Sequence, residues 1–115
     1  MPIPTTYQPA IMGESLVGYG KYTVAVGQAA IAAGVVVIKP TAGRLCNVLV
    51  TTATTAAQAI TFFDNATAGS GTVIGVVPGG STAGQVYTFL MPANNGITIG
   101  ANGSLAAGAV TVSFS

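Results

Sequence analysis

The sequence predicts an all-β protein with a jelly-roll-like antiparallel β-sandwich of about eight strands. Three observations support this class. β-branched residues are abundant, apolar and polar residues alternate with a period of two in several short runs, and turn-forming residues separate these runs. A chain of 115 residues fits one domain with a modest core.

The predicted strands cover residues 21–26, 35–38, 44–52, 59–64, 72–77, 87–91, 97–99 and 109–114. The alternation is clearest in the last strand, where Val110, Val112 and Phe114 share one face while Thr111 and Ser113 share the other. The run 44–52 is apolar on both faces apart from Asn47. This pattern predicts a central or doubly covered strand.

One short helix and one extended segment complete the predicted organisation. Residues 28–33 favour a helix, and Gly27 and Gly34 confine it to about a turn and a half. Residues 1–20 carry three prolines and little periodicity. We therefore expect an extended N-terminal arm over 1–20 and a single β-sandwich domain over 21–115.

Charge is very sparse. The charged residues are Glu14, Lys21, Lys39, Arg44 and Asp64, whereas a typical globular domain is about 25% charged. The mean hydropathy is +0.70. An isolated surface of this kind would self-associate, so we expect partner subunits to cover part of it in a homo-oligomer, with a trimer as one option. The alternative is a neutral, hydroxyl-rich monomer.

The composition also argues against nucleic-acid and membrane partners and against a signal peptide. A net charge of +1 leaves no basic patch for nucleic acid. The longest apolar stretch, 24–38, is interrupted by Gly27, Gln28 and Gly34 and is too short to span a bilayer. The first residues lack the basic region and apolar run of a signal peptide.

The residues that usually carry chemistry are missing or isolated. The chain has no histidine, and its two acids, Glu14 and Asp64, lie far apart in sequence. Cys46 lies mid-strand and is expected to be an inert buried thiol. The pair Asp64-Asn65 could offer oxygens to Ca²⁺, but an Asx turn is the stronger expectation. The sequence therefore predicts no catalytic, cofactor-binding or metal-binding residues, no cofactor, and a protein that is not an enzyme.

Five segments carry a resemblance to a known class of proteins. They are KPTAGRLCNVLVT (39–51), ITFFDNATAGSGTVIGVVP (60–78), AGQVYTFLMP (83–92), NGITIG (95–100) and AVTVSF (109–114). Together they resemble the small β-sandwich virion structural proteins of tailed bacteriophages, of the capsid cement or decoration type. The resemblance implies that the partner is the major capsid protein and that the location is the outer surface of the capsid.

Two other functions stay open at this stage. A carbohydrate-binding or adhesin module of a phage tail or cell surface would need exposed aromatic side chains, and the tyrosines are Tyr7, Tyr19, Tyr22 and Tyr87. Alternation places Tyr87 in or near the core. An ice-binding protein would need threonines at a fixed spacing, and the threonines of 51–55 do not recur in that way.

Overall fold

The structure is a computed structural model that describes residues 22–115. Its elements are β1 (Tyr22–Val26), α1 (Gln28–Ala33), β2 (Val36–Lys39), β3 (Gly43–Thr52), β4 (Ile60–Asp64), β5 (Thr72–Val77), β6 (Val86–Ala93), β7 (Ile97–Ile99) and β8 (Ala109–Phe114). All eight predicted strands and the predicted helix are confirmed, with boundaries within two residues of the predicted ones. The predicted arm, 1–20, lies outside the described residues.

The eight strands form two antiparallel sheets of four. Sheet I has the order β1-β8-β3-β6, and sheet II has the order β2-β7-β4-β5. The chain crosses from one sheet to the other at every connection except the β4–β5 hairpin. This winding is that of an eight-stranded jelly roll, which confirms the predicted fold class.

The core lies between the sheets and follows the pleat of each strand. In sheet I, the row Val24–Val112–Val48–Tyr87 crosses all four strands on the inner face. Directly opposed residues point to the same side of a sheet, so such rows form continuous apolar layers. The largest fully buried side chains are Phe62, Ile31, Leu45, Ile60, Ile97, Ile99, Leu105, Val48, Val50, Val77, Val110 and Val112.

Strand β3 is central, as its apolar pattern predicted, because it lies between β8 and β6. It is not covered on both faces by the described residues, since Leu49 on its outer face is 38% exposed. The apolar pattern therefore predicted the central position of β3 correctly, but Leu49 on the outer face of this strand belongs to the protein surface.

Helix α1 closes one end of the sandwich between β1 and β2. It is six residues long and begins after Gly27, and its Ile31 is fully buried. The Gln28 side chain donates a hydrogen bond to the Leu105 carbonyl at 2.6 Å. The helix thereby ties the β1–β2 connection to the loop that precedes β8.

Candidate functional site

The charged residues among 22–115 gather at one end of the sandwich. Lys39 ends β2, Arg44 follows the first residue of β3, and Asp64 ends β4. Lys39 and Asp64 both lie opposite Ile97 in the sheet register. We call this the charged end. Within the described part of the chain, the other positions of the two sheets and the loops at the opposite end carry no charged residue.

Two of these charges hold backbone segments in place. The Asp64 carboxylate accepts hydrogen bonds from the backbone N–H groups of Asn94, Asn95 and Gly96, at 3.1, 2.8 and 3.4 Å. These bonds lower the pKa of Asp64 below its ordinary value, the bond from Asn95 most. The Arg44 guanidinium donates to the Leu90 carbonyl at 2.6 Å. Both side chains thus stabilise the chain segment around β6 and the turn that follows it.

The Asx turn predicted at Asp64-Asn65 is present. The Asn65 Oδ1 atom accepts the N–H groups of Thr67 and Ala68, each at 2.9 Å, and its Nδ2 donates to the Ser70 carbonyl. The carboxylate of Asp64 and the amide of Asn65 are therefore both used by the backbone around them. Within residues 22–115, no three His, Cys, Asp or Glu side chains come close enough to hold a metal ion.

The outer face of sheet I contains an uncharged array built from two register rows. One row runs Thr23–Ser113–Asn47–Thr88 and the other runs Ala25–Thr111–Leu49–Val86. We call these eight residues the neutral array. Hydroxyl, amide and aliphatic side chains fill it because each strand alternates between core and surface positions.

Two apolar side chains of the neutral array are exposed to solvent. Leu49 is 38% exposed and Val86 is 57% exposed. The Asn47 Oδ1 atom is buried and accepts no hydrogen bond from the described residues. An uncharged surface with exposed aliphatic groups is typical of a face that packs against another protein.

The outer face of sheet II is apolar but partly covered. The chain segment 65–71 folds back across it, and Thr98 Oγ1 donates to the Ala68 carbonyl at 2.9 Å, which leaves Thr98 fully buried. The exposed valines of this face lie toward its two edge strands: Val35, Val37, Val73 and Val76. Beside the covering segment is a shallow pocket of about 150 Å³ that includes Phe63, Gly69 and Gly100.

The tyrosines of the described residues do not form a stacking platform for sugars. Tyr87 is half-buried, as predicted, and its hydroxyl lies 2.7 Å from Ser81 Oγ within a hydrogen-bonded loop network. Tyr22 is 58% exposed, but it lies in an edge strand with its ring centroid 5.7 Å from that of Phe114. The two tyrosines therefore lie in different parts of the sandwich and contact different residues.

Cys46 is fully buried in β3, where a buried thiol was predicted. Burial raises the pKa of the Cys46 thiol, and the nearby Arg44 charge offsets part of that increase. A thiol in this setting is protonated at neutral pH and is a poor nucleophile.

Sequence reasoning missed the segregation of the charges. The signal was present, because Lys39, Arg44 and Asp64 each lie at a predicted strand boundary. What the sequence lacked was the strand order that brings those boundaries to one end.

Compared with protein-family models, curated proteins and solved structures, the chain matches none. Among the described residues, no helix is long and apolar enough to cross a membrane.

Proposed function

We propose that this chain is a structural virion protein, a capsid cement subunit that binds the major capsid protein lattice on the outer surface of a tailed-phage head. The observation that carries the proposal is the neutral array. It is an uncharged face across four strands, and the described charges lie together at one end of the sandwich. In the proposed arrangement the array packs on the shell, the chain assembles as a homo-oligomer, and the charged end points to solvent.

Burial of surface supplies the binding energy in this proposal. Leu49 and Val86 are 38% and 57% exposed. Covering both would remove roughly 150 Å² of apolar surface, a gross gain of about 4 kcal/mol per subunit. Ordering and lost motion offset part of this gain. Because few charges take part, raising the salt concentration should change the affinity little.

The test is binding of the purified protein to heads assembled without it. The proposal predicts saturable binding at a fixed ratio to the major capsid protein, with little dependence on salt. Leu49→Lys and Val86→Lys should each weaken binding by about tenfold or more, because each places an unpaired charge in the contact.

Val73→Lys is the matched control. Val73 is 47% exposed and lies in an edge strand of the other sheet, as Val86 does in sheet I. It should leave binding unchanged. If Val73→Lys alone abolished binding, the shell would contact sheet II rather than the neutral array. Absence of binding by the wild-type protein would refute the cement function itself.

A further inference from the structure

The four edge strands differ in how well they resist pairing with another strand. Three of them, β2, β5 and β6, each contain a β-bulge, that is, one residue more than the strand they pair with. The register shifts lie at 37/39 within β2, across from 62/63 of β4 for β5, and across from 45/47 of β3 for β6. Strand β6 also contains Pro92, and its Leu90 has a φ of 51°. Bulges, prolines and residues with an irregular backbone conformation keep edge strands from pairing with another strand.

Strand β1 carries none of these devices. It pairs with β8 residue for residue from Tyr22 to Val26, without a register shift. Its five residues, YTVAV, contain no charge, proline or glycine. Within residues 22–115 its other edge has no partner strand. A regular, uncharged edge of this kind is a template for strand addition.

The sequence of β1 is also compatible with pairing to itself. In an antiparallel pair centred on Val24, Val24 lies opposite its own copy, Thr23 opposite Ala25, and Tyr22 opposite Val26. Every row then joins uncharged residues on the correct face, since Tyr22, Val24 and Val26 all follow the inner side of the sheet.

This pairing also accounts for an exposed aromatic ring. Tyr22 is 58% exposed, which is the largest exposure among the large apolar side chains of the described residues. In the pair, its ring would lie against the partner's strand beside Val26. At the Val26 end of the strand, a Cβ added to Gly27 would have none of the described atoms beyond its chain neighbours within 4 Å, so residues 22–115 do not crowd that end.

We propose that β1 pairs antiparallel with β1 of a second copy of this chain, about a two-fold axis at Val24. The two copies of sheet I then form one eight-stranded sheet, and their neutral arrays form one continuous face. The inference rests on the proposed function only in taking the chain to be a homo-oligomer.

A charge exchange at two exposed positions tests this pairing. Thr23 and Ala25 are both exposed and share the outer face. The double variant Thr23→Glu with Ala25→Lys places opposite charges across the two-fold axis, twice. The double variant Thr23→Lys with Ala25→Lys places like charges there. Sedimentation of the full chain should give twice the 11.2 kDa chain mass for the wild type. The like-charge variant should dimerise roughly tenfold or more weakly than the opposite-charge variant.

Backbone amide exchange supplies a second readout that requires no substitution. In the wild-type protein, amides of β1 should become more protected as the protein concentration rises. Thermal unfolding of the two variants checks that both are folded. A monomeric or trimeric wild type, equal dimerisation of the two variants, or concentration-dependent protection that leaves β1 unchanged would each overturn the inference.

A head-binding assay, read together with the dimerisation assay, shows which of the two proposals fails. If the protein binds heads but the two charge variants dimerise equally, the β1 pairing fails and the cement function stands. If the β1 dimer forms but heads are not bound, the cement function fails and the pairing stands.

Discussion

Substitution of Gly96 by alanine should destabilise the charged end strongly. Gly96 is buried in the turn between β6 and β7. A Cβ atom there would lie 2.6 Å from the Lys39 carbonyl oxygen, 2.8 Å from Ala66 Cα and 2.8 Å from the Asn65 carbonyl oxygen. All three atoms belong to the backbone, so no side chain can rotate away to make room.

The expected cost follows from these distances. Ordinary contacts begin near 3.5 Å, so the neighbouring backbone must move by roughly 0.7 Å or more. Overpacking of this kind costs about 1–3 kcal/mol. The shift would also lengthen the hydrogen bond from Gly96 N to Asp64. We expect a loss of about 3 kcal/mol from a total unfolding free energy on the order of 5–15 kcal/mol.

The measurement is urea unfolding of Gly96→Ala beside the wild type and Gly34→Ala. Gly34 has an extended φ of 170°, and an added Cβ would lie more than 4 Å from every atom of the described residues beyond its chain neighbours. Its variant should stay within about 0.5 kcal/mol of the wild type. If Gly96→Ala were equally mild, the packing described for the charged end would be wrong.

Three further predictions concern single polar groups. Because the folded-state pKa of Asp64 is lowered, its contribution to stability is present above its unfolded pKa of about 3.9 and is lost as the pH falls through the folded value. Asp64→Asn should therefore be less stable than the wild type at pH 7, with a difference that shrinks in acid; a constant difference would contradict this. Valine in place of Asn47, whose Oδ1 atom has no partner among the described residues, should leave the unfolding free energy unchanged or raise it by about 1 kcal/mol, and a clear loss in urea unfolding would refute the reasoning. The Cys46 thiol should react with a thiol reagent only on unfolding, and rapid labelling of the native protein would disprove its burial.

Much of the fold could be predicted because the local signals agree with the final structure. In β8, Val110 and Val112 are buried while Thr111 and Ser113 face outward, as their alternation requires. The glycines on either side of 28–33 limit the helix to six residues. Tyr87 packs against the core and bonds through its hydroxyl, which suits an aromatic residue at an alternating position.

The arrangement of strands in the sheets could not be predicted, and the candidate surface depends on it. Valines fill the inner rows of several strands, so any of them could pair without a loss of burial. The neutral array exists only because Thr23, Asn47, Thr88 and Ser113 come from four strands that are distant in sequence. The jelly-roll crossings bring them into one row.

The most direct test of the central claim is electron cryo-microscopy of heads saturated with the protein. The claim is that the capsid covers the neutral array of sheet I. We predict density at regular lattice positions, with Leu49 and Val86 against the major capsid protein and Asp64 at the solvent-exposed end. Saturated heads without such density, or subunits that contact the shell through the charged end, would contradict the claim.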